Sequence, residues 1–234
     1  VLTSTGSHFE NIGKLQIKAD GTISTELIKT GTVIRDKGVE AIVAEIRDEY
    51  KTIGQRLVGR SEERLNAKYD NGDWIVRAHE GGIGDFCADA LQKVMNVEIG
   101  IIVGGSIRNS LPKGDITFND SDSVMPFENT IAVARMKGSQ IIDMLELSAS
   151  ALPDDFGGFL QVAGLTFNID ISHPSPVVFN SDKIFLYIDN NEPRRVSNIK
   201  VVSAEGTSAQ IEPEKIYSVA ASSYLLIDHG DGYE

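Results

Sequence analysis

The side chains best suited to chemistry in this sequence would hold a ligand rather than break a bond. Arg108 closes the turn GGSIR directly after the apolar run EIGIIVGG. Glycines in that position let backbone approach a ligand and offer the arginine at the end of a strand; a plain turn with a solvent-facing arginine fits the same residues. Arg77 stands just ahead of a helical pattern. A positive charge there is poorly placed unless a carboxylate or a bound anion faces it, and Glu80 is the near candidate for an intrachain pair. Phe127 in MPFEN and Tyr224 in YLLIDHGDGY are rings beside polar turns, the arrangement that holds a planar ligand between two aromatic faces, although loop packing is the commoner fate of such rings. His229 lies between Asp228 and Asp231, donors that suit a hard cation, yet a turn rich in Asp and Gly needs no metal to explain it.

Reaction chemistry has little to work with. The histidines at 8, 79, 173 and 229 form no HExxH or HxH pattern, so a hydrolytic metal centre is not expected in this chain. Cys87 is the one cysteine; it sits within an apolar helical stripe and reads as a small core residue, with neither a disulfide nor a CxxC motif available. No GxSxG, GxxxxGK[ST] or GxGxxG occurs. The net charge of −12 and the lack of a Lys/Arg cluster argue against bulk nucleic-acid binding. No apolar run approaches the roughly 18 residues of a membrane span. A first residue Val1 in place of methionine reads as a processed or excised start.

The elements that position these residues belong to a mixed class. GKLQIKADGTI alternates about an Asp20-Gly21 turn and reads as a hairpin. Val39, Val43, Ile46, Tyr50 and Ile53 recur at helical spacing, with Gly54 near the end, and a strand surrounds Leu57. A second helix is expected to bury Ile83, Phe86, Cys87, Ala90, Leu91 and Val94. EIGIIVGG, apolar throughout, reads as a strand covered on both faces. NTIAVARM is a further strand, and KGSQIIDMLELSAS a third helix with Ile141, Leu145 and Ser148 on one face. Strands dominate from there on. The 41% hydrophobic content suffices for one large core with a smaller attached piece. The fold class expected is α+β, with mixed sheets and packed helices.

Five ordered blocks, RAHEGGIGDFCADAL, GGSIRNSLPKGDIT, VMPFENTIAVARMKGSQIIDMLE, GGFLQVAGLTFNID and YLLIDHGDGY, resemble the C-terminal, nucleoside-binding domain of 5′-nucleotidases and UDP-sugar hydrolases. The resemblance covers about residues 38–234; residues 1–30 resemble the last strands of that family's metallophosphatase domain, leaving 31–37 as a linker. It implies a division of labour. A preceding domain, not contained in this chain, holds two divalent metals (zinc or manganese) and the catalytic dyad. No catalytic residue and no metal ligand carries over to this chain, which would not hydrolyse anything alone. Substrate-binding residues carry over one by one. Arg77 and Arg108 would contact the nucleotide at ribose and phosphate, Phe127 and Tyr224 would stack on the two faces of the base, and Asp231 would accept from the ribose hydroxyls. The resemblance also implies export to the periplasm, the exterior or the cell surface, with a nucleotide or nucleoside and the metallophosphatase domain of the same polypeptide as partners.

Three departures bear on substrate. Val103 stands where the family commonly has an amide-bearing Asn, Ser106 replaces a glycine, and Tyr224 replaces a usual Phe. A nucleotide sugar or cyclic nucleotide therefore remains open beside a simple monophosphate. So does a non-catalytic adhesion or interaction module of the same architecture.

Overall fold

The structure, a computed structural model, describes residues 4–6, 9–181 and 184–233. The chain divides into two compact units, Val1–Ile53 and Gly54–Glu234.

In the first unit, strands β1 (Asn11–Ile17) and β2 (Ile23–Lys29) pair antiparallel. Their turn is closed by Gly21 at φ 84°, and the Asp20 carboxylate accepts from the Thr22 N–H at 2.9 Å. Helix α1 (Lys37–Gly54) follows, its first turn capped by Asp36, which accepts from the N–H groups of Gly38 and Val39. Its expected apolar stripe forms but is not covered: Val39, Val43, Ile46, Tyr50 and Ile53 are 44–66% exposed.

The second unit runs β3 (Leu57–Ser61), α2 (Gly82–Met95), β4 (Ile99–Val103), β5 (Gly114–Thr117), α3 (Phe118–Val124), β6 (Ile131–Lys137) and α4 (Gly138–Ser148). It continues through β7 (Leu160–Ala163), β8 (Leu165–Ile169), β9 (Val177–Phe179), β10 (Phe185–Ile188), β11 (Val196–Val202), β12 (Ser208–Gln210), β13 (Ile216–Ser222) and α5 (Ser223–Leu226). The fold is α+β, as the sequence indicates.

The main sheet has the order β6-β13-β4-β7. Strand β4 is buried throughout and splits its side chains between two cores. Ile99, Ile101 and Val103 join Ile141, Leu145, Phe159 and Val219 on one side; Ile102 joins Ile83, Cys87 and Ala88 on the other. This is the period of two expected of a strand with both faces covered. Gly100 points to the α2 side, where a Cβ would collide with the Ala88 carbonyl, so this glycine lets the helix lie close.

The register of α2 corrects the sequence reading. Ile83, Gly84, Cys87 and Ala88 are its buried residues, while Phe86 is 54% and Val94 76% exposed and Ala90 is exposed as well. Gly84 faces inward because its missing Cβ makes room for the Gln161 side chain. The buried stripe therefore follows small residues that admit close packing, and the larger Phe86 is left outside. Cys87 is buried, and burial pushes its thiol up to about 12, the inert state expected of a core cysteine.

Candidate functional site

Strand topology gathers four distant segments at one edge of the main sheet. β13 and β4 run parallel, so both end at that edge. β6 is antiparallel to β13, with Ile131 opposite Ser222, so the segment entering β6 arrives there too. β7 is antiparallel to β4, with Leu160 opposite Val103, which brings in the segment before β7. The segments at this edge are residues 104–108 after β4, 127–130 before β6, 154–159 before β7 and 223–233, which open with α5, after β13. Crevices at the carboxyl ends of parallel strands are a recurrent place for ligands.

A cavity of about 320 Å³ lies among these loops, lined by Arg77, Val103, Gly105, Ser106, Arg108, Phe127, Asn129, Gly157, Tyr224 and Asp231. All five residues singled out in the sequence thus meet in one slot. Two of its walls depend on close backbone contact. Gly105 donates to the Gly157 carbonyl at 2.7 Å, and Gly104 donates to the Phe159 carbonyl at 2.7 Å. A Cβ on Gly104 would collide with the Val76 carbonyl, so only glycine lets the turn lie against the segment carrying Arg77. Phe156 N–H in turn donates to the Arg77 carbonyl at 3.0 Å.

The end formed by the last loop is rigidly specified. His229 and Asp231 both adopt left-handed backbone, at φ 54° and 55°, an arrangement with a conformational cost. The Tyr224 ring occupies the space a Cβ on Gly230 would need. The buried Tyr233 hydroxyl donates to the Gly158 carbonyl at 2.6 Å and ties this loop to the one before β7. Burial raises the Asp231 carboxyl above its ordinary range, against a Tyr224 hydrogen bond and the nearby Arg77 charge, which both lower it.

Two arginines make the other part of the lining cationic. Burial pulls the Arg77 guanidinium below its usual range and Arg108 adds to this, while Asp155 and Asp231 oppose. Glu80 is not among the carboxylates acting on it and instead lines a separate cleft with Asp85. The Arg77 Nε is buried without a hydrogen-bond partner. Arg108 lies 5.8 Å from the Phe127 ring centroid and donates to the Gly105 carbonyl at 3.2 Å.

Sequence reasoning missed two neighbours. Asn129 lines the slot two residues after Phe127, and Trp74 lies beneath both arginines, 4.1 Å from Arg77 and 5.9 Å from Arg108. The Asn71-Gly72 turn was the available clue to Trp74, since it builds a hairpin that brings the ring forward. A larger groove of about 820 Å³ runs between the end of α2 and β11–β12, but its charged lining mixes Asp89, Glu98 and Glu212 with Lys93 and Lys215. It has no arginine and no converging pair of rings. Among the described residues no group of three or more His, Cys, Asp or Glu is placed to hold a metal ion. No helix among them is long and apolar enough to cross a membrane.

A family model described as the 5′-nucleotidase C-terminal domain matches residues 58–234. The chain belongs to that family. It is similar to the trifunctional nucleotide phosphoesterase protein YfkN of Bacillus subtilis (strain 168), at 30% identity over 194 residues, 81% of this chain and 12% of that protein. Protein UshA of Yersinia enterocolitica is 25% identical over 223 residues, 95% of this chain and 34% of the relative. The crystal structure of a 5′-nucleotidase precursor from Thermus thermophilus shares the fold, with a TM-score of 0.68 at 24% identity over 96% of this chain and 42% of that one. The chain spans less than half the length of each of these proteins.

Proposed function

We propose that this chain is the substrate-holding part of a metal-dependent 5′-nucleotidase-like hydrolase. In this reading the base lies between Phe127 and Tyr224, Asp231 accepts from the ribose hydroxyls, and Arg77 and Arg108 meet the phosphate. The observation that carries it is the convergence of these five side chains on one slot. Rings on both faces of a base contribute about 1–3 kcal/mol per base with little preference among bases. An ionised carboxylate is acceptor-only and so matches a vicinal diol. A guanidinium offers a planar fork of donors to phosphate oxygens.

Hydrolysis falls to a companion metallophosphatase domain, whose divalent metals supply the hydrolytic chemistry. The apolar side chains left exposed on the first unit, among them Ile17, Leu27, Ile46 and Tyr50, support such a companion. Export to the periplasm or cell surface belongs to the same proposal and follows the family resemblance. Val103 gives the slot an apolar wall, which favours tolerance of several bases over strict selection by a polar edge.

Calorimetric titration with AMP and adenosine tests the reading. Binding of both is expected, with AMP the tighter. Absence of heat from either ligand at millimolar concentration would defeat it.

A further inference from the structure

Trp74, the one tryptophan in the chain, has no part in the slot's lining. It sits on a short hairpin in which Lys68 and Trp74 pair across the turn and Tyr69 N–H donates to the Asp73 carbonyl at 2.9 Å. Three cations gather at its ring. Lys68 Nζ lies 4.0 Å from the centroid, the Arg77 guanidinium carbon 4.1 Å, and the Arg108 guanidinium carbon 5.9 Å. Lys68 and Arg77 both lie within about 4 Å of the ring centroid, the range of a cation–π contact. Of the three cations, Arg77 and Arg108 line the slot and Lys68 does not. The indole is therefore a wall behind the two arginines.

These arginines lack the usual means of being held. Among the described residues neither forms an ion pair with a carboxylate. Among the described residues the buried Arg77 Nε has no acceptor, and Arg108 donates to the Gly105 carbonyl. A carboxylate clamp would orient a guanidinium by consuming its N–H donors. A ring face orients the same group by attraction to its π cloud and leaves those donors free. In a chain of net charge −12, two adjacent cations with free donors are what a ligand anion meets.

We propose that Trp74 is a positioning residue for the phosphate end of the slot: its indole holds Arg77, and more distantly Arg108, with their donors unspent for a nucleotide phosphate. The inference rests on the nucleotide reading of the slot, and it concerns the phosphate alone. Loss of the ring is expected to touch phosphate-bearing ligands and spare the nucleoside.

The test is binding of AMP and adenosine to the whole chain, as wild type, Trp74→Leu and Trp74→Phe. Trp74→Leu is expected to weaken AMP about five-fold or more, to leave adenosine within about two-fold, and to be largely rescued in Trp74→Phe, which keeps a ring. An equal loss of both ligands, or no loss of AMP, overturns the proposal while leaving the nucleotide slot standing. If Trp74→Leu does not fold, the wild type decides. Emission from its single indole is expected to change on adding AMP and to stay constant with adenosine, and an identical response to both overturns the proposal. Failure of the wild type to bind either ligand removes the nucleotide reading and this inference together.

Discussion

The two ends of the slot are built in opposite ways. At one end, Tyr224 and Asp231 are fixed before any ligand arrives, by left-handed backbone, a ring seated on Gly230 and the Tyr233–Gly158 hydrogen bond. At the other, Arg77 and Arg108 repel one another, rest against ring faces and keep donors unmet. In the proposed reading the first end meets the neutral base and ribose, and the second, where Asp155 and Asp231 only partly oppose the Arg77–Arg108 repulsion, meets the phosphate. The difference teaches that one cavity can separate shape from charge, so substitutions at the two ends should act on different parts of the same ligand.

The largest effect is expected where both ends share a support. Gly104→Ala drives a Cβ into the Val76 carbonyl and parts the turn from the Arg77 segment. A loss of about 2–4 kcal/mol in urea unfolding is expected, with AMP and adenosine binding both abolished; retention of both ligands would show that the ends do not share this hinge point.

Next comes Arg108→Ala, which should cost AMP about 1.5–3 kcal/mol, the range for hydrogen bonds to charged groups, while adenosine binding is unchanged. An equal loss of the nucleoside in calorimetry would erase the distinction between the ends. Phe127→Ala should weaken both ligands by about 1–3 kcal/mol, and a loss confined to AMP would place the base elsewhere.

The smallest effect is expected at Asp231. Its raised carboxyl means that ribonucleoside binding should fall with decreasing pH sooner than for an ordinary carboxylate. The same shift acts on folding. The native state holds this proton more readily than the unfolded chain, so the group's stabilisation is full below the ordinary carboxylate value and is lost as pH rises through the raised one. Asp231→Asn accepts the left-handed backbone and removes a partly buried charge. At neutral pH its thermal midpoint should match or slightly exceed wild type, while discrimination between adenosine and 2′-deoxyadenosine shrinks. A clear drop in the midpoint would contradict the assigned cost of that charge.

Much of this was legible in the sequence where a pattern is local. The apolar run of β4 announced a strand covered on both faces, and the turns around Arg108, Phe127 and Tyr224 marked the slot's loops. What periodicity could not supply was the partner of each face. The stripes of α1 and α2 look alike in the sequence, yet α1 leaves Val39 and Ile46 exposed, whereas α2 buries Gly84 and Ala88 and turns Phe86 out. Hydrophobicity alone ranks Phe86 above Gly84; close approach to Gln161 reverses that order. The short helix α3, which opens with a Thr117–Asp120 capping box, follows directly on the glycine-rich GGSIRNSLPKGDIT turn and carries no apolar stripe that periodicity could pick out. Trp74 escaped notice because no motif includes it and its contact with Arg108, 34 residues on, exists only in the folded chain.

The most direct measurement is a crystal structure of this chain with AMP. The account predicts the base between Phe127 and Tyr224, ribose hydroxyls on Asp231 and phosphate at Arg77 and Arg108. Nucleotide seated in the charged groove beside α2, with the slot empty, would contradict it.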